Sequence, residues 1–321
     1  MTDKAEVDLS SLRIFLEVSQ DCSMSAAAKR LGITQPAISL AIHRLEESLG
    51  IVLFDRTSRP IVLTSAGRLL QARSAEIIET IQHLRSELLQ SGQGTRPNLS
   101  LGCSDSISFC CVPFFASQLT DKTARLSAYT SNTPQVCNML LNGKVDIAIA
   151  TDPLINRKDV RSIPTHNEDF IIVAPAEFDG KITQKNHLID LIKHLPVIRF
   201  NDLSLDSIQV ERVLRQCNFR SPHRIEADTN QMVLSLVAQG CGWTVMPTLG
   251  LWVARDFLNR VSLHKIPFVQ SQRSAYVLYS SSVFESLAIE ISKMVKSTLK
   301  EVVIPMIGLR SAMLAQSIRV V

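Results

Sequence analysis

The sequence has no apolar stretch long enough to cross a bilayer, and residues 1–11 are polar and acidic, unlike a secretion signal. We therefore expect a cytoplasmic protein with no membrane partner. The sequence also lacks a glycine-rich nucleotide fingerprint, a phosphate loop, and any Ser/His/Asp set, carboxylate pair or metal cluster at motif spacing. These absences argue against an enzyme, a bound cofactor and a metal site.

Cysteine occurs seven times, without a CxxC pair or zinc spacing, and this usage fits a reducing compartment. Cys103, Cys110, Cys111 and Cys241 invite a redox interpretation. The alternative is that each is a small buried apolar residue. The seven histidines are scattered along the chain and suggest no metal site.

Positive charge is concentrated near the start of the chain. The formal net charge is only +4, yet between residues 29 and 73 seven Lys and Arg face three Asp and Glu. A local positive field of this kind is typical of a surface that contacts phosphates. The alternative, an ordinary solvated face, has to be weighed against the motif in the same segment.

That motif is a pair of short helices separated by a tight turn. Amphipathic patterns predict helices over residues 8–19, about 25–31 and about 35–49. Thr34 can cap the third helix, and a proline in its first turn costs little. Gln35 then stands at the helix tip, where glutamine can read an adenine edge in the major groove. A helix presented in this way indicates a helix-turn-helix.

A two-stranded wing and a long helix follow. The apolar runs 51–54 and 61–63 flank a turn with Arg56 and Arg59, which can reach phosphates or the minor groove. Thr64 can cap a helix over about residues 65–90. Its apolar positions mostly recur every seven residues, a heptad spacing that is typical of a helix that pairs with a second helix along an apolar seam. The predicted dimer seam consists of Leu70, Ile77, Ile81, Leu84 and Leu88. The alternative is that this face packs on its own chain.

These residues together resemble the LysR-type transcriptional regulators. The matching segments are 25–28, 31–39, 45–46, 49–50, 53–56, 59–60 and 63–67. The resemblance implies a winged helix-turn-helix domain over residues 8–64, with the helix-turn-helix at about 24–43, and a linker helix over 65–91. The predicted DNA-binding residues are Ser25, Thr34, Gln35, Pro36, Ser39, His43, Arg56, Arg59 and Pro60. Leu40 departs from the family, which often has arginine there.

Beyond the Gly-containing segment 91–97, strand and helix patterns alternate, which predicts an α/β domain with mostly parallel sheets. The resemblance implies an effector-binding domain over 97–303 with two lobes, like a periplasmic binding protein. Lobe one is placed at 97–165 and 269–300, and lobe two at 166–268. Residues 304–321 form a tail of unknown role that the resemblance does not cover. Ile304 and Pro305 are expected to break the last helix. The tail is expected to be a partly ordered terminus, and the alternatives are that it packs on a lobe or serves assembly.

Ligands of such folds bind beyond the carboxyl ends of strands, at helix N-termini. The resemblance implies that the hydroxyls of Ser104, Ser106 and Thr151 contact the effector. Asn201, after a strand of lobe two, and Thr229, at a helix start, complete the predicted effector-binding residues. Ser106 and Thr229 could instead only cap helices. Arg199 is assigned to an ion pair within lobe two. We expect a small polar or anionic effector and no other cofactor.

The sequence thus predicts a DNA-binding regulator whose oligomer geometry is switched by a small molecule bound between two lobes. Its expected partners are double-stranded DNA, the effector and further copies of itself as a homodimer or homotetramer, with RNA polymerase as an additional candidate. Two alternatives stay open. One is an effector-independent or redox-responsive regulator, and the other is a solute-binding protein.

Overall fold

The computed structural model describes residues 7–58, 61–91, 96–178, 182, 184–201, 205–216, 224–266 and 271–321. The chain divides into two compact units with a boundary at residues 93–94, inside the segment predicted as the linker. No helix among the described residues is long and apolar enough to cross a membrane.

The first unit begins with three helices, α1 (Leu9–Asp21), α2 (Met24–Leu31) and α3 (Gln35–Leu49). Asp8 caps α1 by accepting the Ser11 N–H at 2.8 Å. Gly50 ends α3 in the left-handed region at φ 68°, as its lack of a Cβ permits. Thr34 occupies the N-cap position of α3, but its side chain makes no cap hydrogen bond. The predicted hydroxyl cap is therefore wrong, although the helix starts where predicted.

The wing consists of the antiparallel strands β1 (Phe54–Asp55) and β2 (Val62–Leu63), followed by α4 (Ser65–Ser91). The Thr64 hydroxyl accepts the Gly67 N–H at 3.0 Å, which confirms the predicted cap of α4. A Cβ on Gly67 would lie 2.2 Å from the Leu53 carbonyl oxygen, so the helix start and the wing can meet only at a glycine. One core unites helices and wing; its fully buried members include Phe15, Ile38 and Ile42.

The second unit has two lobes. Lobe one contains β3 (Asn98–Ser104), α5 (Asp105–Thr120), β4 (Arg125–Ser131), α6 (Thr133–Leu141) and β5 (Ile147–Ala150). The long strand β6 (Arg161–Pro175) then crosses into lobe two. That lobe contains α7 (Lys185–His194), β7 (Val197–Phe200), α8 (Leu205–Gln216), β8 (Arg224–Ala227), α9 (Asn230–Ala238), β9 (Thr244–Pro247), α10 (Thr248–Val253) and β10 (Val261–Lys265). The chain returns through β11 (Gln272–Tyr279), which pairs with β6 along its whole length.

The prediction of mostly parallel sheets is wrong. The pairs β3–β4, β3–β5 and β7–β8 are parallel, but β6 pairs antiparallel with β9, β10 and β11, and β11 pairs antiparallel with β5. The reason is that two strands must cross between the lobes in opposite directions. The parallel pairs arise within local strand–helix–strand units, whereas each crossing strand runs against the strands that it joins.

The chain after β11 also differs from the prediction. Helix α11 (Glu285–Thr298) continues through a π-helical turn (Leu299–Val303) into α12 (Ile304–Gly308). Pro305 therefore does not break the helix, since the wider turn just before it accommodates the missing donor. After α13 (Ala312–Gln316), the strand β12 (Ile318–Val320) pairs with β6 at residues 166–168. The tail is ordered and extends the sheet at the middle of the crossing strand.

Candidate DNA-binding surface and ligand cleft

The start of α3 presents its side chains to solvent. Ser25, Thr34, Gln35 and Pro36 are exposed, and Ser39 is half-buried. Ile38, one turn inside, is fully buried, so the helix is held by its inner face while its first turn stays free. This is the arrangement that base reading requires. Leu40, where the family often has arginine, is 51% exposed on the same helix.

Two predicted DNA-binding residues have partners within the domain. His43 is exposed and lies 3.3 Å from the Glu47 carboxylate, one turn further along α3. Arg56 donates from Nη2 to Glu46 Oε2 at 2.8 Å. Glu46 Oε1 also accepts the Leu53 N–H at 2.8 Å, so Arg56 belongs to the junction of α3 and the wing. Arg59 and Pro60 lie outside the described residues.

The predicted seam on α4 divides into different environments. Leu70 is half-buried against the core of its own domain, so the alternative of packing on the same chain holds for this residue. Ile77 is 45% exposed, and Ile81 is half-buried. The side chains of Leu84 and Leu88 lie outside the described residues. Because Ile77 is exposed, it is free to contact a second helix. The dimer seam therefore stays a prediction for the part of α4 beyond Leu70.

A polar cleft of about 290 Å³ lies between the lobes of the second unit. Ser104, Ser106, Thr151 and Asn201 line it, as predicted. Thr229 does not; it is exposed and caps α9 by accepting the Met232 N–H at 3.2 Å. The remaining lining residues are Asp105, Ser131, Asn132, Thr133, Gln135, Phe200, Asp206, Asp228, Asn230 and Arg273.

Arg273 stands at the centre of this cleft, near the start of β11. Its Nε donates to Glu168 Oε1 at 2.8 Å, and its Nη1 donates to both Asp206 carboxylate oxygens at 2.8 and 2.9 Å. Its Nη2 donates to Ser106 Oγ at 2.9 Å. One side chain therefore links α5 of lobe one, α8 of lobe two and the crossing strand β6. Sequence reasoning missed Arg273 and Asp206; Arg273 lies between Gln272 and Ser274, in the polar first part of β11, which gives no distinctive sequence signal.

Burial and charge oppose each other in this network. Burial disfavours the charged guanidinium, but Asp206 and Glu168 outweigh that effect and raise the pKa of Arg273. Burial raises the pKa of Asp206, and Arg273 offsets part of that rise. Glu168 Oε2 also accepts the Leu249 N–H at 2.6 Å, at the start of α10. The cluster is a buried charge network that is satisfied on several sides.

Two further hydrogen bonds shape the walls of the cleft. Asn230 Nδ2 donates to Asp105 Oδ2 at 2.6 Å and thereby joins the lobes. The hydroxyls of Thr133 and Thr151 lie 2.9 Å apart on lobe one. Ser104 is 5% exposed, and its hydroxyl has no hydrogen-bond partner among the described residues. A buried polar atom of this kind needs a hydrogen-bond partner, and the residues that the structure describes do not supply it.

Of the four cysteines with a redox interpretation, three are buried, and the fourth, Cys241, is half-buried against the same core. Cys103, Cys110 and Cys111 are buried, and burial raises the pKa of each thiol. Burial likewise raises the pKa of Cys137 to about 12. A thiol held in its neutral form is a poor nucleophile and a poor redox sensor. These cysteines lie in apolar cores, which agrees with the alternative interpretation that they are small buried apolar residues.

Arg199 pairs with Glu211 within lobe two, as predicted. Over the part of the chain that the structure describes, no group of three or more His, Cys, Asp or Glu is arranged to hold a metal ion.

Comparison with known proteins identifies both units. Residues 9–68 match the family described as "Bacterial regulatory helix-turn-helix protein, lysR family". Residues 92–290 match the family described as "LysR substrate binding domain". These two matches cover the helix-turn-helix with its wing and most of the two-lobed unit.

Individual relatives agree with this result. The "HTH-type transcriptional regulator YofA" of Bacillus subtilis (strain 168) is 23% identical over 290 residues, 88% of this chain and 98% of the relative. The "Probable hydrogen peroxide-inducible genes activator" of Streptomyces viridosporus is 28% identical over 255 residues, 76% of this chain and 78% of the relative.

Among solved structures, full-length CbnR complexed with its target DNA has the same fold, with a TM-score of 0.64 at 19% identity. That likeness covers 91% of this chain and all of CbnR. The helix-turn-helix, the two-lobed domain and their order along the chain lead to one conclusion: this protein belongs to the LysR family of helix-turn-helix transcriptional regulators.

Proposed function

We propose that a small polar effector binds in the cleft between the lobes and changes the geometry of the DNA-bound oligomer. The observation that carries this proposal is the Arg273 network, which ties both lobes to the crossing strand at the cleft. A molecule that contacts both lobes beside this network favours one lobe arrangement over another. It can shift the equilibrium only by its difference in affinity for the two arrangements.

The lobe-one hydroxyls provide the test. The double variant Ser104→Ala with Thr151→Val removes two hydroxyls that line the cleft. We expect it to keep basal DNA binding and to lose effector-dependent changes in the footprint. Ser235→Ala is the matched control, because that hydroxyl bonds to the Met232 carbonyl oxygen on α9 and does not line the cleft. A double variant that responds like the parent would place sensing elsewhere.

The active species in this proposal is a homodimer or a tetramer built from dimers, with α4 as one contact and RNA polymerase as a further partner on DNA. The exposed Ile77 and half-buried Ile81 support a second helix along α4. Ile81→Glu would bury a charge in such a seam and is expected to lower the sedimentation coefficient. An unchanged coefficient would contradict the seam.

The redox-responsive alternative receives little support from the thiols. Those of Cys103, Cys110 and Cys111 are buried and have raised pKa values. An effector that binds without covalent chemistry agrees better with a cleft lined by hydroxyls, amides and carboxylates.

A further inference from the structure

The walls of the cleft carry more negative than positive charge. Asp105, Asp206 and Asp228 line it, and Arg273 is the one basic residue among the described lining residues. Glu168, next to the cleft, is a fourth carboxylate, and it accepts a hydrogen bond from Arg273. The sequence predicted a small polar or anionic effector, and the anionic alternative rested on the helix N-termini at this site. Asp105 already supplies a negative charge in the first turn of α5.

Arg273 is not available to a bound anion without a rearrangement. Its Nε, Nη1 and Nη2 each already have an acceptor, on Glu168, Asp206 and Ser106 respectively. At Nη2, whose partner is the neutral Ser106 hydroxyl, a ligand carboxylate would have to displace that hydroxyl. At Nε and Nη1 it would have to displace a buried carboxylate and leave it without a partner. Such a loss is strongly unfavourable.

The carboxylates of Asp105 and Asp228 are placed differently. Asp105 is the first residue of α5 in lobe one, and Asp228 precedes the N-cap of α9 in lobe two. The two lobes meet here through the hydrogen bond from Asn230 to Asp105. A cation between the lobes would be attracted from both sides and could replace that amide as the donor to Asp105.

A second observation indicates an occupant independently of charge. Ser104 lines the cleft, is 5% exposed, and has a hydroxyl without a hydrogen-bond partner among the described residues. Ser131, Thr133 and Thr151 extend the same hydroxyl-bearing wall of lobe one. This wall suits the polar part of a ligand whose charged end lies nearer the carboxylates. A cleft of about 290 Å³ is at the small end for ligand sites.

We propose that the effector is a small polar molecule that carries a protonated amino group, bound between Asp105 and Asp228, with its polar skeleton against the hydroxyls of lobe one. This inference rests on the proposed function, because it names the class of effector for the same cleft. It replaces the anion that the helix N-termini had suggested.

The test uses four probes with the same carbon skeleton length: putrescine, γ-aminobutyrate, butanediol and succinate. Each is added to the full-length protein, and binding is measured by the shift in melting temperature and by calorimetry. We expect saturable binding of putrescine, γ-aminobutyrate or both at millimolar concentration, and none of butanediol or succinate. A bound ligand stabilises the folded protein by RT ln(1 + L/Kd), where L is the free ligand concentration, so the melting temperature rises with ligand concentration.

Charge-neutralising variants locate the site. Asp228→Asn and Asp105→Asn should each raise the Kd of the bound amine by about tenfold or more, the usual effect of losing a charged hydrogen bond. Asp121→Asn is the matched control, since Asp121 is exposed at the opposite end of α5. Equal weakening by the control variant would overturn the assignment to the cleft.

The outcomes separate this inference from the proposed function. Preferential binding of succinate, equal binding of all four probes, or binding of none at millimolar concentration contradicts an amine-bearing effector. A footprint that responds to succinate alone would reject the amine and retain a ligand-switched regulator. An amine that binds through Asp228 without changing the footprint would retain the ligand class and reject the switch.

Discussion

At the scale of single residues, Arg273 connects three elements of the second unit. It is 11% exposed and neutralises Glu168 and Asp206, whose carboxylates are 1% and 14% exposed. Arg273→Met keeps much of the side-chain volume but leaves both carboxylates without their cation. We expect a loss of about 3–5 kcal/mol in the free energy of unfolding, measured by urea denaturation.

A matched control for Arg273 lies on the surface. Arg157 also forms a two-point ion pair, with Asp159 at 2.9 and 2.7 Å, but it is exposed. Arg157→Met should leave the urea midpoint almost unchanged, because exposed pairs are screened by solvent. Similar losses for the two variants would mean that the buried network contributes no more than a surface pair.

His166 gives the effector domain a pH dependence. It is fully buried on β6; burial, followed by the charge of Arg273, lowers its pKa from 6.5 to about 3. Below pH 6.5 the unfolded chain therefore takes up a proton here that the folded chain does not. Stability should fall as the pH drops from 6.5 towards 3, by about 1.4 kcal/mol per pH unit from this group.

The effect of His166 is isolated by comparison with His166→Gln, which cannot be protonated. Between pH 6.5 and 5 the parent should lose stability in urea more steeply than the variant. Asp206 contributes with the opposite sign, because its raised pKa favours proton uptake by the folded chain, but it is present in both proteins. Parallel curves for the two proteins would show that folding does not lower the pKa of His166.

At the scale of secondary structure, the tail after Gly308 is part of the effector domain. Leu314 on α13 is fully buried, and Arg319 on β12 bonds to Asp169 on β6. Leu314→Ala should therefore cost about 2–5 kcal/mol, measured as a lower urea midpoint. Leu309→Ala is the control, because Leu309 is 90% exposed. If the tail packs only loosely, Leu314→Ala and Leu309→Ala would both lower the urea midpoint only slightly and to the same extent.

The elements that the sequence predicted well are those with local signals. Helix α3 has an apolar inner stripe and a glycine stop, and it begins and ends where these indicate. The strand β12 has no such signal. It is three residues long, and it forms because residues about 150 positions earlier on β6 offer an open edge. Pairing over that distance cannot be read from local periodicity.

The same contrast explains the cleft. Ser104, Ser106 and Thr151 were found because they follow the carboxyl ends of strands, which is a rule of topology. Arg273 was missed because its importance comes from partners on three distant elements. Thr229 was overestimated because a capping hydroxyl and a ligand-binding hydroxyl look alike in sequence; its neighbours Asp228 and Asn230 line the cleft instead.

At the scale of the whole molecule, the two units correspond to the two domains of a LysR-family regulator. The first presents the start of α3 to DNA, and the second encloses a polar cleft joined across by Arg273 and Asn230. A regulator with one reading helix per chain needs at least two chains to cover two half-sites. This requirement connects the DNA contact with the seam proposed on α4.

The central claim, that this chain reads specific DNA through the exposed start of α3, is tested most directly by footprinting on the DNA beside its own gene. The parent should protect two half-sites about one helical turn, or a multiple of it, apart. Gln35→Ala should relax discrimination at one base pair by about 1–3 kcal/mol, whereas Gln20→Ala, at an exposed glutamine of α1, should not. A parent that protects no discrete site, or a Gln35→Ala footprint identical to the parent's at matched salt, would contradict the account.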